Sequence, residues 1–260
     1  MTLGHVAPFL IASVVAVGVI VLNERYRLLS SDLFPSPLHR AAAYCWLLIT
    51  LFVIAGFVAA ASSTAPDEID LDRIPFWTLF TMHVILTVFL IGWWALTAQP
   101  PLRSYLNIGR VSPESILIGI AVGVGGWAVT LSLALAVALL LNALGLLPKD
   151  IAPSPLIPWM AGLPLWQKAT IVFMAMTVEE AFFRGWLQKR IGLIASTLLF
   201  AIAHAGYGQP FMLVGIVIIS LIIGYTFYRT RDLVPCIIAH GVFDTIQLFV
   251  IVPIALRFIA

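Results

Sequence analysis

The chain reads as an all-α protein, a polytopic membrane bundle of about eight transmembrane helices. Three observations predict this. Of its 260 residues, 62% are hydrophobic and 10% charged, whereas a soluble domain has roughly 45–50% and 25%. The mean hydropathy is +1.07. The apolar residues also gather in runs of about 20, the length at which a helix crosses the hydrocarbon core. The net charge of +2 points to no partner, and no nucleic-acid partner is expected. The lipid bilayer is the expected surrounding, with little chain left over for a soluble domain.

Eight segments qualify as spans: residues 5–23, 41–61, 75–97, 114–142, 166–188, 191–206, 210–229 and 233–256. The fourth is long and the sixth short. The first follows no basic residue and precedes Arg25 and Arg27, the order of a retained anchor with its N-terminus outside rather than a cleaved signal peptide. That orientation puts Arg25, Arg27, Arg40, Arg103, Arg110, Lys189, Arg190, Arg229 and Arg231 in inner loops. Arg73, Lys149, Lys168 and Arg257 fall outside, and Arg184 lies within the membrane. The cation excess is therefore on the inner side, as expected for a cytoplasmic face. The acidic run Asp67, Glu68, Asp70 and Asp72 reads as a solvated outer loop.

Gly119, Gly123 and the pair Gly125 and Gly126 give span four a small-residue face suited to close helix packing. The stretch 148–165 is rich in proline and carries Trp159, a residue that favours the membrane interface. It divides the chain into an N-terminal four-helix region, 1–147, an interfacial linker, 148–165, and a C-terminal four-helix region, 166–260. The two cysteines, Cys45 and Cys236, sit in apolar surroundings. They are too few for a disulfide framework and lack the basic neighbour that a thiolate nucleophile needs, so both read as free thiols. The short loops suggest a bacterial inner (plasma) membrane.

Nearly all the intramembrane polar chemistry lies in the last region. Glu179, Glu180, Arg184 and Asp244, each charged at mid-bilayer, would together cost on the order of 10 kcal/mol, comparable with the whole stability of a domain. They must be paired, protonated or wet. Glu180 and Arg184 stand one helical turn apart, in the favourable order for an ion pair. Glu179 points about 100° away around the helix, so it is the carboxylate less tied to the arginine. Two carboxylates in different environments can divide acid and base roles. His240 and Asp244 are also one turn apart, and a carboxylate there can orient the imidazole. His204 follows Phe200 by one turn on span six. From the helical rise, Glu179, His240 and His204 lie about 15, 11 and 20 Å from the inner surface, so helix tilt can bring them to one site. His5, His39 and His83 have no such company; the first two read as loop or interface residues and His83 as structural.

The motifs EEAFFR at 179–184, FAIAH at 200–204 and HGVFD at 240–244 resemble those of the CPBP intramembrane proteases. That family includes the type II CAAX prenyl proteases and the bacterial Abi proteins. The resemblance implies an intramembrane endopeptidase that hydrolyses a membrane-associated protein or peptide with a glutamate-activated water. Glu179 would be the general base, assisted by His204, with Glu180 and Arg184 in support and with His240 and Asp244 steadying the oxyanion. Many members have Asn where this chain has Asp244. An ionised Asp cannot donate a hydrogen bond, so Asp244 is protonated, orients His240, or faces a cation. Glu179, His204, His240 and Asp244 would make an acceptable set of nitrogen and oxygen ligands for a divalent metal such as zinc. Two other functions use the same residues differently: a non-catalytic membrane scaffold or immunity factor, and a proton-coupled transporter.

Overall fold

A computed structural model describes residues 3–26, 30–61, 71–146, 155–204 and 210–259. Arg27, Asp67, Glu68, Asp70 and Lys149, and the side chains of His5, Arg25 and Asp72, lie outside the described residues. The described chain is mostly helical, with no strand among its residues. Six helices are long and apolar enough to cross a membrane: Pro37–Val58, Phe76–Leu96, Pro113–Ala143, Leu165–Ala203, Met212–Thr230 and Leu233–Arg257. A further helix, α1 (Leu3–Tyr26), covers the first expected span. Leu165–Ala203 contains the fifth expected span and the sixth as far as Ala203. Gly192, at φ +82° and ψ 175°, breaks the helix there, a backbone conformation essentially confined to glycine. The described residues of the eight expected segments are therefore largely helical, and the break at Gly192 lies near the start of the sixth.

The chain packs as two compact units that meet in sequence at Pro101 and Leu102. The Pro-rich stretch read as a seam thus lies within the second unit. In the first unit, α1, α2 (Pro37–Ala61) and α3 (Thr81–Leu96) pack in sequence. Trp46 of α2 donates from Nε1 to the carbonyl of Phe89 at 3.1 Å. It fits because Gly92 has no side chain; a Cβ there would lie 2.4 Å from the indole nitrogen. Trp93 is fully buried with the Phe34 ring edge-on at 6.0 Å. His83 packs against Phe80, and His39 shares a 2.9 Å hydrogen bond with Ser36. Cys45 is exposed and Cys236 buried, both as free thiols.

The second unit holds α4 (Leu102–Leu106), α5 (Pro113–Ala143), α6 (Leu156–Gly162), α7 (Leu165–Met174), α8 (Lys189–Ala203), α9 (Pro210–Thr230), α10 (Leu233–Thr245) and α11 (Val252–Ile259). Helix α5 starts on a capping box between Ser112 and Ser115, with Pro113 in the first turn; these satisfy donors that a helix start leaves open. Its buried residues are Ser115, Gly119, Gly123, Gly126 and Thr130, a small-residue stripe at helical spacing. A Cβ on Gly119 or Gly123 would lie 2.6–2.7 Å from atoms of α10, and one on Gly126 would lie 2.7 Å from Ile219 of α9. Gly125 faces open space, so the packing face is Gly119, Gly123 and Gly126 without it. Ile219, Ile223, Phe227, Leu233, Cys236 and Ala239 form the adjoining core of α9 and α10. Asp232 caps α10 by accepting from Val234 N at 2.9 Å, and it also accepts from Gly109 N at 2.9 Å.

Large apolar side chains such as Leu117, Leu135, Ile194 and Ile202 are exposed, while Glu180 and Arg184 are buried. That reversal of soluble-protein order is what a hydrocarbon solvent favours. Between α7 and α8 the chain winds as π-helix over Ala175–Glu179 and again over Ala181–Gln188. The wider turns, with i→i+5 bonding, are common at functional sites.

The glycine stripe makes a paired prediction. Gly123→Ala should destabilise the protein by about 1–3 kcal/mol through overpacking, because its methyl meets the Ala239 carbonyl and Val242. Gly125→Ala meets nothing within 4 Å and should leave stability unchanged or raise it by up to about 1 kcal/mol. Thermal unfolding of both variants in one detergent checks the difference; equal effects would dismiss the stripe as the packing face.

Candidate active site

The π-wound segment carries the adjacent carboxylates, and its neighbours give them different surroundings. Glu180 is 0% exposed. Its Oε1 accepts from Arg184 at 2.8 Å and from His240 Nδ1 at 2.8 Å. Arg184, itself 2% exposed, uses its second terminal nitrogen on Ser220 of α9, donating to the hydroxyl at 3.0 Å and to the carbonyl at 3.2 Å. Its guanidinium carbon lies 4.7 Å from the centre of the Phe200 ring. A planar five-donor fork can bond a carboxylate and a neighbouring helix and still stack on an aromatic face. Gln188, one step further along the same segment, donates to the carbonyl of Gly224 at 2.7 Å. Glu180, Arg184 and Gln188 thus form a column, the last two tied directly to α9.

Glu179 points elsewhere. Its Oε2 lies 3.7 Å from His204 Nε2, and both side chains retain some exposure, 13% and 19%. His204 closes α8 and donates from Nδ1 to the Phe200 carbonyl at 2.8 Å. When the ring is neutral, that bond leaves Nε2 as an acceptor facing Glu179. The Phe200 ring touches both imidazoles, with centroids 4.4 Å from His204 and 6.1 Å from His240.

His240 lies between two carboxylates. Nδ1 meets Glu180, and Nε2 meets Asp244 Oδ2 at 3.3 Å. Only a doubly protonated ring donates to both at once. Asp244, with 28% of its side chain exposed, is the looser partner. Asp244 thus stands beside His240, one turn along α10. All six residues singled out in the sequence, Glu179, Glu180, Arg184, His204, His240 and Asp244, therefore meet in one cluster.

The four residues of the expected zinc set stand as two pairs, Glu179 with His204 Nε2 and Asp244 with His240 Nε2. Both nitrogens of His240 face carboxylates, and His204 Nδ1 faces its own helix. Among the described residues, no three His, Cys, Asp or Glu side chains group so as to hold a metal ion.

Two participants escaped the sequence reading. Ser220 anchors Arg184; its only signal is one hydroxyl within an apolar run, IVIISLIIGY at 216–225. Gln188 continues the spacing of Glu180 and Arg184, a periodicity that could have identified it. An apolar cavity of about 750 Å³ adjoins the cluster between α7 and α10, with Val172, Phe173, Met176, Ile238, Gly241 and Val242 in its wall. Gly241 follows His240, and its missing side chain leaves room for the Met176 sulfur.

No curated protein and no solved structure matches the chain. A family model does, over residues 161–246: type II CAAX prenyl endopeptidase Rce1-like. The matched segment holds all three motifs and is similar to that family of CAAX-type proteases. With the apolar helices, it makes the chain an integral membrane protein. The resemblance read from the three motifs is thereby borne out, and residues 161–246 are the Rce1-like part of this chain.

Proposed function

We propose that the chain is an intramembrane endopeptidase in which Glu179 activates the hydrolytic water. The observation that carries this reading is the division of labour between adjacent carboxylates. Glu180 is committed to Arg184 and His240, while Glu179 stands beside His204 with partial exposure. The 3.7 Å separation between Glu179 Oε2 and His204 Nε2 is too long for a direct hydrogen bond. A water placed between them donates to both and turns its lone pairs outward.

In the attack, the water oxygen bonds to the scissile carbonyl carbon and one water proton passes to Glu179. His204 accepts a hydrogen bond from the second water hydrogen. The carbonyl oxygen becomes an oxyanion, and His240 stabilises it from Nε2–H, swung away from the looser Asp244 contact. Glu180 holds the opposite ring nitrogen throughout. Collapse of the intermediate breaks the C–N bond, and the proton on Glu179 moves to the leaving amine. The residues present support this sequence without routing any step through a metal. The apolar cavity beside Met176 and Gly241 offers the membrane-associated substrate a place next to the reacting bond.

Three outcomes follow from this arrangement. Glu179→Gln keeps the shape and removes the base, so cleavage of a prenylated CAAX reporter peptide in vesicles should fall by about 10²–10⁴-fold, with unfolding temperature nearly unchanged. If that variant retains wild-type cleavage, the assignment is wrong. If wild-type protein leaves the reporter intact, comparison of membrane proteomes from cells expressing the wild type or Glu179→Gln extends the search to other substrates. A biological effect that survives Glu179→Gln would favour a scaffold.

Arg184→Met should behave differently. It leaves the buried Glu180 charge without its cation and should destabilise the protein by about 3–5 kcal/mol, read as loss of folded protein in a thermal scan. Retention of wild-type stability would reassign the pair as marginal to the fold.

Dialysis against a strong chelator should leave reporter cleavage unchanged, because each step above uses only the chain's own side chains and water. Loss of activity, restored on adding zinc, would overturn that mechanism and assign a metal to Glu179, His204, His240 and Asp244.

A further inference from the structure

A second pocket, of about 350 Å³, opens where α8 begins and α9 ends. Lys189, Arg231, Tyr225, Tyr228 and Gly192 are in its wall. We propose that it binds the phosphodiester headgroup of an acidic phospholipid. This does not depend on the catalytic reading.

The two cations are fixed but not neutralised. Lys189 Nζ donates to the Tyr105 carbonyl and, at 2.9 Å, to Asn107 Oδ1. Neutral oxygens orient the ammonium and leave its charge in place. Asn107 Nδ2 in turn donates to the Arg231 carbonyl at 3.3 Å, so a single side chain links the two cationic positions. The Arg231 guanidinium lies 5.2 Å from the centre of the Tyr228 ring, a cation–π position. Neither Lys189 nor Arg231 forms an ion pair among the described residues. Asp232, the acid next in sequence, spends one oxygen on the backbone N–H groups of Gly109 and Val234.

The backbone supports the same reading. Arg231 sits at φ +53°, in the left-handed region that glycine occupies without penalty and other residues rarely adopt. A long cation there gains nothing for the turn itself, so an observed outlier of this kind points to use of the side chain. At the opposite edge Gly192 has φ +82° and open space where a Cβ would stand, which keeps the mouth clear.

The surroundings select the source of the anion. Tyr225 and Tyr228 are each 53% exposed and stack on one another at 6.2 Å. Tyrosine in pairs of this kind suits the depth where headgroups meet acyl chains. The pocket belongs to the chain end that carries Arg103, Arg110, Lys189, Arg190, Arg229 and Arg231, the side expected to face the acidic cytoplasmic leaflet. A phosphodiester with no cation of its own complements two uncompensated positive charges; a zwitterionic headgroup brings its own ammonium into a cationic pocket.

Native mass spectrometry of the full chain, loaded with phosphatidylglycerol, phosphatidylcholine or inorganic phosphate, tests the proposal. Wild type should retain phosphatidylglycerol in preference to phosphatidylcholine, and millimolar inorganic phosphate should not displace it. Arg231→Gly is the decisive variant. Relief of the left-handed backbone should hold or raise the unfolding temperature, while phosphatidylglycerol retention falls by about five-fold, the effect of one cation near an acidic leaflet. Lys189→Gln should lower retention similarly. A double Arg103→Gln, Arg110→Gln variant should match wild type. Equal retention of the two lipids, displacement by phosphate, unchanged retention in Arg231→Gly, or an equal loss in the double variant would each overturn the proposal. The displacement result would assign the pocket to free phosphate, and the double-variant result would assign the effect to the general charge of that face.

Discussion

A buried carboxylate and a buried guanidinium, joined at 2.8 Å, set the terms for the second unit. Neither charge could remain in hydrocarbon alone, since each mid-membrane charge costs about 2.5–3.5 kcal/mol even on gentle scales. Pairing alone is not enough, because desolvation of both partners can exceed their attraction unless other hydrogen bonds complete the shell. Here Ser220 supplies two oxygens to Arg184, Phe200 supplies its face, and His240 supplies a second donor to Glu180. Those added contacts draw α8, α9 and α10 onto the π-wound segment. The ion pair is therefore satisfied only when four separate stretches of chain have arrived, which ties the site's geometry to the fold of this unit.

That requirement also explains why the proposed catalytic role falls to Glu179. Two consecutive residues on a helix cannot both face one partner. Once Glu180 turns toward Arg184, Glu179 is left toward the end of α8, where His204 stands. The structural carboxylate is stripped of exposure and the chemical one keeps some. A general base needs access to water and the freedom to exchange a proton; an ion-pair anchor needs neither. The adjacency of the glutamates thus separates two demands that a single carboxylate could not meet together.

Much of this was legible in the amino-acid order, because hydrocarbon makes polar residues conspicuous. The helices show as apolar runs, and the spacing of Glu180 with Arg184 and of His240 with Asp244 survives into contacts of 2.8 and 3.3 Å. What could not be read follows from side-chain partners on other helices. The contact between Glu180 and His240 joins residues 60 apart in sequence, and no local period reveals it. The same holds for Ser220, whose hydroxyl means nothing until Arg184 lies opposite. The packing boundary was also hidden. Prolines crowd the sequence between α5 and α6, yet α5 belongs with α10 because of its glycine stripe.

That stripe bears on the chemistry as well as on stability. Gly119 and Gly123 receive the backbone oxygens of Pro235 and Ala239 and the side chains of Ile238 and Val242 on one side of α10. His240 and Gly241 are turned toward Glu180 and Met176 on the other. The depth at which α10 settles into α5 therefore sets how far the imidazole reaches toward the π-wound segment. With Glu180 Oε1 at 2.8 Å, a displacement of about 1 Å would stretch the bond beyond ordinary hydrogen-bond length, and misplacement on that scale can cost about 10²-fold in rate. Small residues that read as packing alone thus help determine where the proposed oxyanion donor points. The absence of a side chain on one face of α10 is part of what positions the imidazole on the other.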